Sequence, residues 1–161
     1  MKRYFLFAIA MLVAIPAAFG HGDASHARTF SAAQLAEEQP FGRAGDPKQV
    51  TRTVKFVMSD KMRFDPSRAT VERGETVRIV VRNDGKLMHE MVFGTAKALK
   101  EHAELMKKFP GMEHDEPYMV HVAPGKTGEI IWQFTRAGEF EFACLVPGHF
   151  DAGMKGRILV K

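Results

Sequence analysis

This chain of 161 residues contains a single cysteine, so no internal disulfide can stabilise its fold. Beyond its first twenty residues it also lacks an apolar run near the ~20 residues that a membrane-spanning helix needs. The formal net charge of +4 is a mild excess, and no basic stripe with interleaved aromatic residues indicates nucleic-acid binding. This length is typical of one domain, which must be stabilised mainly by its core.

The first twenty residues have the pattern of a secretory signal peptide. Lys2 and Arg3 provide the basic start, residues 4–18 the apolar stretch, and small residues lead to a cleavage site after Gly20. Cleavage would release a soluble, periplasmic chain that begins at His21, without stable membrane association. An uncleaved membrane anchor is the alternative, although the apolar stretch is short for a span.

Residues 21–50 are interpreted as a flexible amino-terminal extension or linker. They are rich in small and polar residues, are interrupted by Pro40 and Pro47, and show no sustained hydrophobic period. A short helix near residues 31–38, capped by Ser31, is compatible with the pattern but has little apolar surface to stabilise it.

Residues 51–161 form the predicted domain, in which short strand patterns alternate with turns. The predicted strands are 54–58, 70–72, 77–81, the run that begins at His89, 118–122, 128–134, 139–143 and 155–160. One helix is predicted over residues 95–108, because Leu99, Ala103 and Met106 recur at helical spacing. The pattern indicates an all-β antiparallel sandwich or barrel with one inserted helix.

The most informative segment is the stretch from Cys144 to Met154, which contains a cysteine, a histidine and a methionine within eleven residues. Thiolate and thioether ligands suit copper, imidazole suits copper and zinc, and one Cys with two His and a weak axial Met is the ligand set of electron-transfer copper centres. His149 supplies one imidazole. His89, which opens an apolar strand-like run, is the candidate for the second.

Simpler interpretations of these residues stay open. A buried cysteine is often an inert small hydrophobe, and a methionine often fills a core. A Cys–His nucleophile is the main chemical rival, but it leaves His89 and Met154 without a role. Structural zinc would favour more thiolates than Cys144 alone can supply.

In its order of ligands, the segment 51–161 resembles the cupredoxins, the plastocyanin and azurin family of small secreted copper proteins. The resemblance implies a Greek-key β-sandwich with one type 1 copper ion held by His89, Cys144, His149 and Met154. It also implies that a transient redox or copper-transfer partner docks near His149. Glu90 stands where better-known members often carry Asn or Ser, so the surroundings of the metal are expected to differ.

Further soft ligands raise the hypothesis of a second, weaker copper site. The candidates are His21, His26, Met112, His114, Met119 and His121. A free amino-terminal His21 could chelate copper through two nitrogens, and Met119 and His121 would share one face of a strand. Ordinary core and loop positions are the simpler interpretation of the methionines.

These features favour copper handling, in which the protein binds copper and buffers its redox state, and the resemblance extends to cupredoxins associated with copper tolerance. A one-electron carrier between redox partners is the alternative. The single Cys144 excludes a two-thiolate binuclear copper centre, and the His-rich motifs of multicopper oxidases are missing. A non-enzymatic protein is therefore expected, with a weak cuprous oxidase activity left open.

Overall fold

The computed structural model describes residues 28–111 and 114–161. In these residues the chain forms two five-stranded sheets and one long helix. The strands are β1 (Arg43–Ala44), β2 (Arg52–Ser59), β3 (Arg63–Asp65), β4 (Arg68–Val71), β5 (Thr76–Asn83), β6 (His89–Gly94), β7 (Met119–Val122), β8 (Thr127–Gln133), β9 (Gly138–Ala143) and β10 (Lys155–Val160). The predicted signal peptide, His21, His26 and Met112 lie outside the described residues.

The two sheets have the orders β1-β8-β5-β2-β3 and β4-β10-β9-β6-β7. The predicted β-sandwich is confirmed, but the expectation of purely antiparallel strands is wrong. Strands β2 and β5 pair in parallel, as do β4 and β10, while β5 and β8 pair antiparallel. Parallel neighbours need a crossover connection, and alternating hydrophobicity in single strands carries no information about that choice.

The core lies between the sheets and follows the side-chain alternation of their strands. Along β5, Val77, Ile79 and Val81 are all fully buried, and on β8 Ile130 and Trp132 face the same core. Each such side chain contributes roughly 1.5–3 kcal/mol when fully buried. Strand β3 escaped sequence analysis because three residues are too few to show a period.

The helix α2 (Ala96–Lys108) covers the outer face of the second sheet. Thr95 caps it as predicted, accepting a hydrogen bond from the Ala98 amide at 3.2 Å. The predicted apolar face is confirmed, since Leu99, Ala103 and Met106 are the helix's buried residues. They form a second apolar cluster, whose members from the sheet side are Val92, Met119, Ala143 and Leu145.

The amino-terminal extension packs against the sandwich more closely than a linker would. The predicted short helix is present as α1 (Ala32–Ala36), with Ser31 as its N-cap in a capping box. Beyond it, β1 pairs with β8, and Phe41 is 4 % exposed and stacks on Trp132 at 5.3 Å between ring centroids. The described part of the extension is therefore anchored by an aromatic contact that local composition did not reveal.

Candidate metal centre

Three of the predicted ligands converge at one end of the sandwich. His89 begins β6, Cys144 follows the last residue of β9, and His149 lies in the loop before β10. The Cys144 Sγ lies 3.2 Å from His149 Nδ1 and 4.0 Å from His89 Nδ1, and the two Nδ1 atoms are 3.3 Å apart. The ligand atoms of these three side chains all lie within 4.8 Å of one another, so they could hold one metal ion.

Met154, the fourth candidate, is fully buried and immediately precedes β10. The Cys144 amide donates to the Met154 carbonyl at 3.0 Å, and the Met154 amide donates to the His149 carbonyl at 3.0 Å. Gly148 has a φ of +87°, a conformation that other residues seldom adopt. Backbone hydrogen bonds thus hold the loop that carries three of the four candidate side chains.

Asp60, at the turn after β2, orients His89. Its Oδ1 lies 3.0 Å from His89 Nε2, and its carboxylate accepts the backbone amides of Lys86 at 2.7 Å and Leu87 at 3.3 Å. The hydrogen bond from the Lys86 amide, supported by His89, lowers the pKa of Asp60. An acceptor on Nε2 favours the proton on that nitrogen, which leaves the Nδ1 lone pair free towards Cys144.

Glu90 connects the cysteine loop to the neighbouring strand. Its amide donates to the Cys144 Sγ at 3.4 Å, and its Oε1 accepts the Leu145 amide at 2.8 Å. Its Oε2 lies 2.9 Å from Nδ1 of His121, its partner in the β6–β7 register. Glu90 is 2 % exposed, so this buried carboxylate has hydrogen-bond partners on both oxygens.

The surroundings of the site shift the pKa values of Cys144 and His149. Burial raises the pKa of the Cys144 thiol to about 12, whereas burial and the neighbouring His89 lower the pKa of His149. A nucleophilic cysteine needs a lowered pKa and an accessible sulfur, and Cys144 is fully buried. The geometry therefore argues against the thiol-nucleophile alternative.

A family model described as copper-binding proteins of the plastocyanin/azurin family matches residues 51–161. The chain belongs to this family. Copper is therefore the metal of this cupredoxin, and the sandwich topology agrees with the Greek-key expectation.

Relatives with the name "copper-resistant cuproprotein CopI" are similar over most of the chain. The protein from Rubrivivax gelatinosus is 56 % identical over 124 residues, which cover 77 % of this chain and 75 % of the relative. The protein from Vibrio cholerae serotype O1 is 32 % identical over 163 residues, which cover 96 % of each.

Among solved structures, dithionite-reduced auracyanin from Roseiflexus castenholzii has a TM-score of 0.61 at 20 % identity. The likeness covers 70 % of this chain and 98 % of auracyanin. An azurin from Methylomonas sp. strain J has a TM-score of 0.57 at 13 % identity, over 70 % of this chain and 99 % of that one. At such identities the likeness establishes the fold.

The donor set of this cupredoxin fits copper. One sulfur and two imidazole nitrogens converge within bonding reach of a single ion, and a buried methionine lies in the same loop. Soft sulfur with borderline nitrogen donors selects copper over the hard cations, which prefer oxygen. The Glu90 amide that donates to Sγ is an outer contact of the kind that tunes such a centre.

The described residues of the predicted second site have different surroundings, and His121 contacts the His114 carbonyl at 3.3 Å. Met119 is fully buried in the apolar cluster under α2, and His121 is bound to Glu90. His114 instead lies against His102, a residue that the sequence analysis did not single out.

Sequence reasoning also missed Asp60 and the carboxylate role of Glu90. In the structure a Cβ on Gly85 would lie 2.1 Å from Asp60 Oδ1, but nothing in the sequence pairs these two residues.

Proposed function

We propose that His89, Cys144, His149 and Met154 hold one type 1 copper ion, and that this protein serves copper tolerance in the periplasm. The observation that carries the assignment is the convergence of Sγ and two Nδ1 atoms within 4.8 Å. The role in tolerance is supported by the relatives, whose name describes copper-resistant proteins.

The chain's own groups prepare the site for a metal ion. Asp60 orients His89, and loss of the Cys144 proton on loading frees the thiolate as a ligand. Copper, when bound, supplies a one-electron couple between its cupric and cuprous forms. Ligands fixed by sheet and loop hydrogen bonds move little as that charge changes, and this suits a protein that stores or passes copper in either state.

No membrane-crossing helix occurs among the described residues. The signal-peptide pattern of residues 1–20 supports the proposal of a periplasmic protein. Mass spectrometry of protein from a periplasmic fraction should give a chain that begins at His21. Retention of the whole leader in a membrane fraction would overturn the localisation.

Titration with copper(II) tests the centre. An intense thiolate-to-copper absorption band should saturate near one equivalent and disappear in Cys144→Ser. A wild-type chain without this band would overturn the four-ligand assignment.

The role in tolerance requires a separate measurement in cells. A strain without the gene should grow less well in copper, and the wild-type gene, but not the Cys144→Ser gene, should restore growth. Full rescue by the Cys144→Ser gene would show that tolerance does not depend on this centre.

An electron carrier is the second candidate, favoured by the surface beside His149. Leu87 and Met88 precede His89 and are 48 % and 46 % exposed, and His149 itself is half-buried. Exposed apolar residues next to His89 in the sequence, with a partly accessible His149, suit a transient redox or copper-transfer partner. Rapid electron self-exchange, with a respiratory defect but no copper sensitivity in the deletion strain, would favour this function.

A further inference from the structure

The outer surface over α2 carries a second pair of histidines. His102 lies in the middle of the helix, and His114 lies between the helix and β7. Their ring centroids are 4.7 Å apart with an interplanar angle of 42°. The corresponding values for His89 and His149 in the metal centre are 5.0 Å and 52°, so ring spacing and tilt are similar in the two pairs.

Unsatisfied ring nitrogens distinguish this pair from an ordinary surface contact. Both ring nitrogens of His114 are buried, and neither has a hydrogen-bond partner in the described part of the chain. Buried polar atoms in folded proteins are almost always satisfied, and an exception indicates strain, a functional role, or a place for an ion or water. His121 does not meet this need, because its own ring contacts the His114 carbonyl and the Glu90 carboxylate.

The surroundings of the pair suit a neutral imidazole ligand. Burial, followed by the neighbouring His114, lowers the pKa of His102, which keeps the ring uncharged near neutral pH. The pair borders an open cleft of about 500 Å³ whose other lining residues are Glu101 and Leu105. An ion can therefore approach from solvent, with a carboxylate at the cleft wall.

We propose that His102 and His114 form a second metal site, which binds one copper ion in the cleft that they line beside α2. Imidazole ligands without thiolate suit copper and zinc, and the choice of copper rests on the proposed function. It shares His114 with the second site predicted from the sequence but does not use Met119 or His121. It would increase the copper capacity of the protein without using Cys144.

Copper stoichiometry of the full chain, measured by equilibrium dialysis, tests the proposal. The double variant His102→Asn/His114→Asn should bind one ion fewer than the wild type and should retain the thiolate-to-copper band. Each single variant should weaken binding of that ion by more than about tenfold, since even changes outside the ligand shell typically cost 10–100-fold in affinity. Equal uptake by the double variant and the wild type would overturn the proposal.

His121→Gln is the matched control. It removes a neighbouring imidazole, and the additional ion should remain. Loss of that ion in His121→Gln but not in His102→Asn would place the site on β7 and overturn the pair. If the wild type showed no thiolate-to-copper band, only the centre of His89, Cys144, His149 and Met154 would be contradicted. Dialysis counts the additional ion separately from that band.

Zinc(II), a diamagnetic probe, gives a measurement that does not depend on the folding of the His102 and His114 variants. In the Cys144→Ser chain, zinc should shift the ¹⁵N resonances of the His102 and His114 rings together. Shifts confined to the amino-terminal His21 and His26 would locate extra metal there and overturn the proposal.

Discussion

The Glu90 carboxylate lies 2.9 Å from His121 Nδ1 across the β6–β7 pair. Its other oxygen accepts the amide of Leu145, the residue after Cys144. A strand that contributes no proposed type 1 ligand is thus connected to the cysteine loop through one buried side chain. Glu90 therefore links β7 to the cysteine loop through hydrogen-bond partners on both carboxylate oxygens.

The Glu90 contact should make stability depend on pH through His121. The hydrogen bond to Glu90 is the main cause that raises the pKa of His121 above its ordinary value. A group whose folded pKa is raised stabilises the fold fully below its unfolded pKa, and this contribution is lost as pH rises through the folded pKa. Asp115 and the His114 carbonyl act in the same direction as Glu90.

Urea unfolding of the metal-free wild type and His121→Gln between about pH 5.5 and pH 9 measures this contribution. The difference in unfolding free energy should be largest at the acidic end and should shrink as pH rises. A difference that grows with pH would contradict the ion pair.

Asp60→Ala should weaken copper binding by about 10–100-fold, the usual cost of removing a group that orients a histidine ligand. His89 loses its Nε2 partner, and two backbone amides lose their acceptor. Competition with a chelator of known affinity measures the effect. Asp84→Ala, a change at a nearby exposed carboxylate paired with Arg82, should leave the affinity unchanged.

Gly85→Ala should reproduce part of the Asp60 effect by steric means. The added Cβ would lie 2.1 Å from Asp60 Oδ1, so the carboxylate must move away from His89 or the loop must shift. Gly111→Ala provides the control, since it too lacks a positive φ and its added Cβ would meet no atom within 4 Å. An equal fall of copper affinity in both variants would contradict displacement of Asp60 as the cause.

Met154→Leu should retain copper but raise its reduction potential. Loss of the thioether removes a donor to the cupric form, and an apolar side chain favours the less charged cuprous form. The change conserves volume in a fully buried position, so stability should fall by less than about 1.5 kcal/mol. Redox titration measures the potential, and an unchanged potential would indicate that Met154 does not interact with the metal.

Phe41→Ala should destabilise the protein by about 3 kcal/mol, the lower end for truncation of a buried Phe. The ring is 4 % exposed and stacks on Trp132. Leu35→Ala in α1, where the side chain is 46 % exposed, should change stability by less than about 0.5 kcal/mol. Thermal unfolding of both variants measures these changes. If the extension were not docked on the sandwich, Phe41→Ala would have little effect on stability.

The amino-acid sequence by itself determined the elements whose signals are local. Strand alternation, the caps at Ser31 and Thr95 and the buried stripe of α2 depend on neighbours within a few residues, and the structure confirms them. Three candidate ligands lie within one short segment, so their grouping was also visible in the sequence. Their ligation of copper, and the domain boundary near residue 50, stay predictions.

Only the tertiary structure decided which distant side chains act on that segment. Asp60 and His89 are 29 positions apart, Glu90 and Leu145 are 55 apart, and Phe41 reaches Trp132 across 91 positions. Such pairs leave no periodic signal, because they arise from strand order and from parallel pairings that single strands do not encode. For the same reason the sequence contained no sign that His114 lies against His102, which belongs to the helix over the sheet.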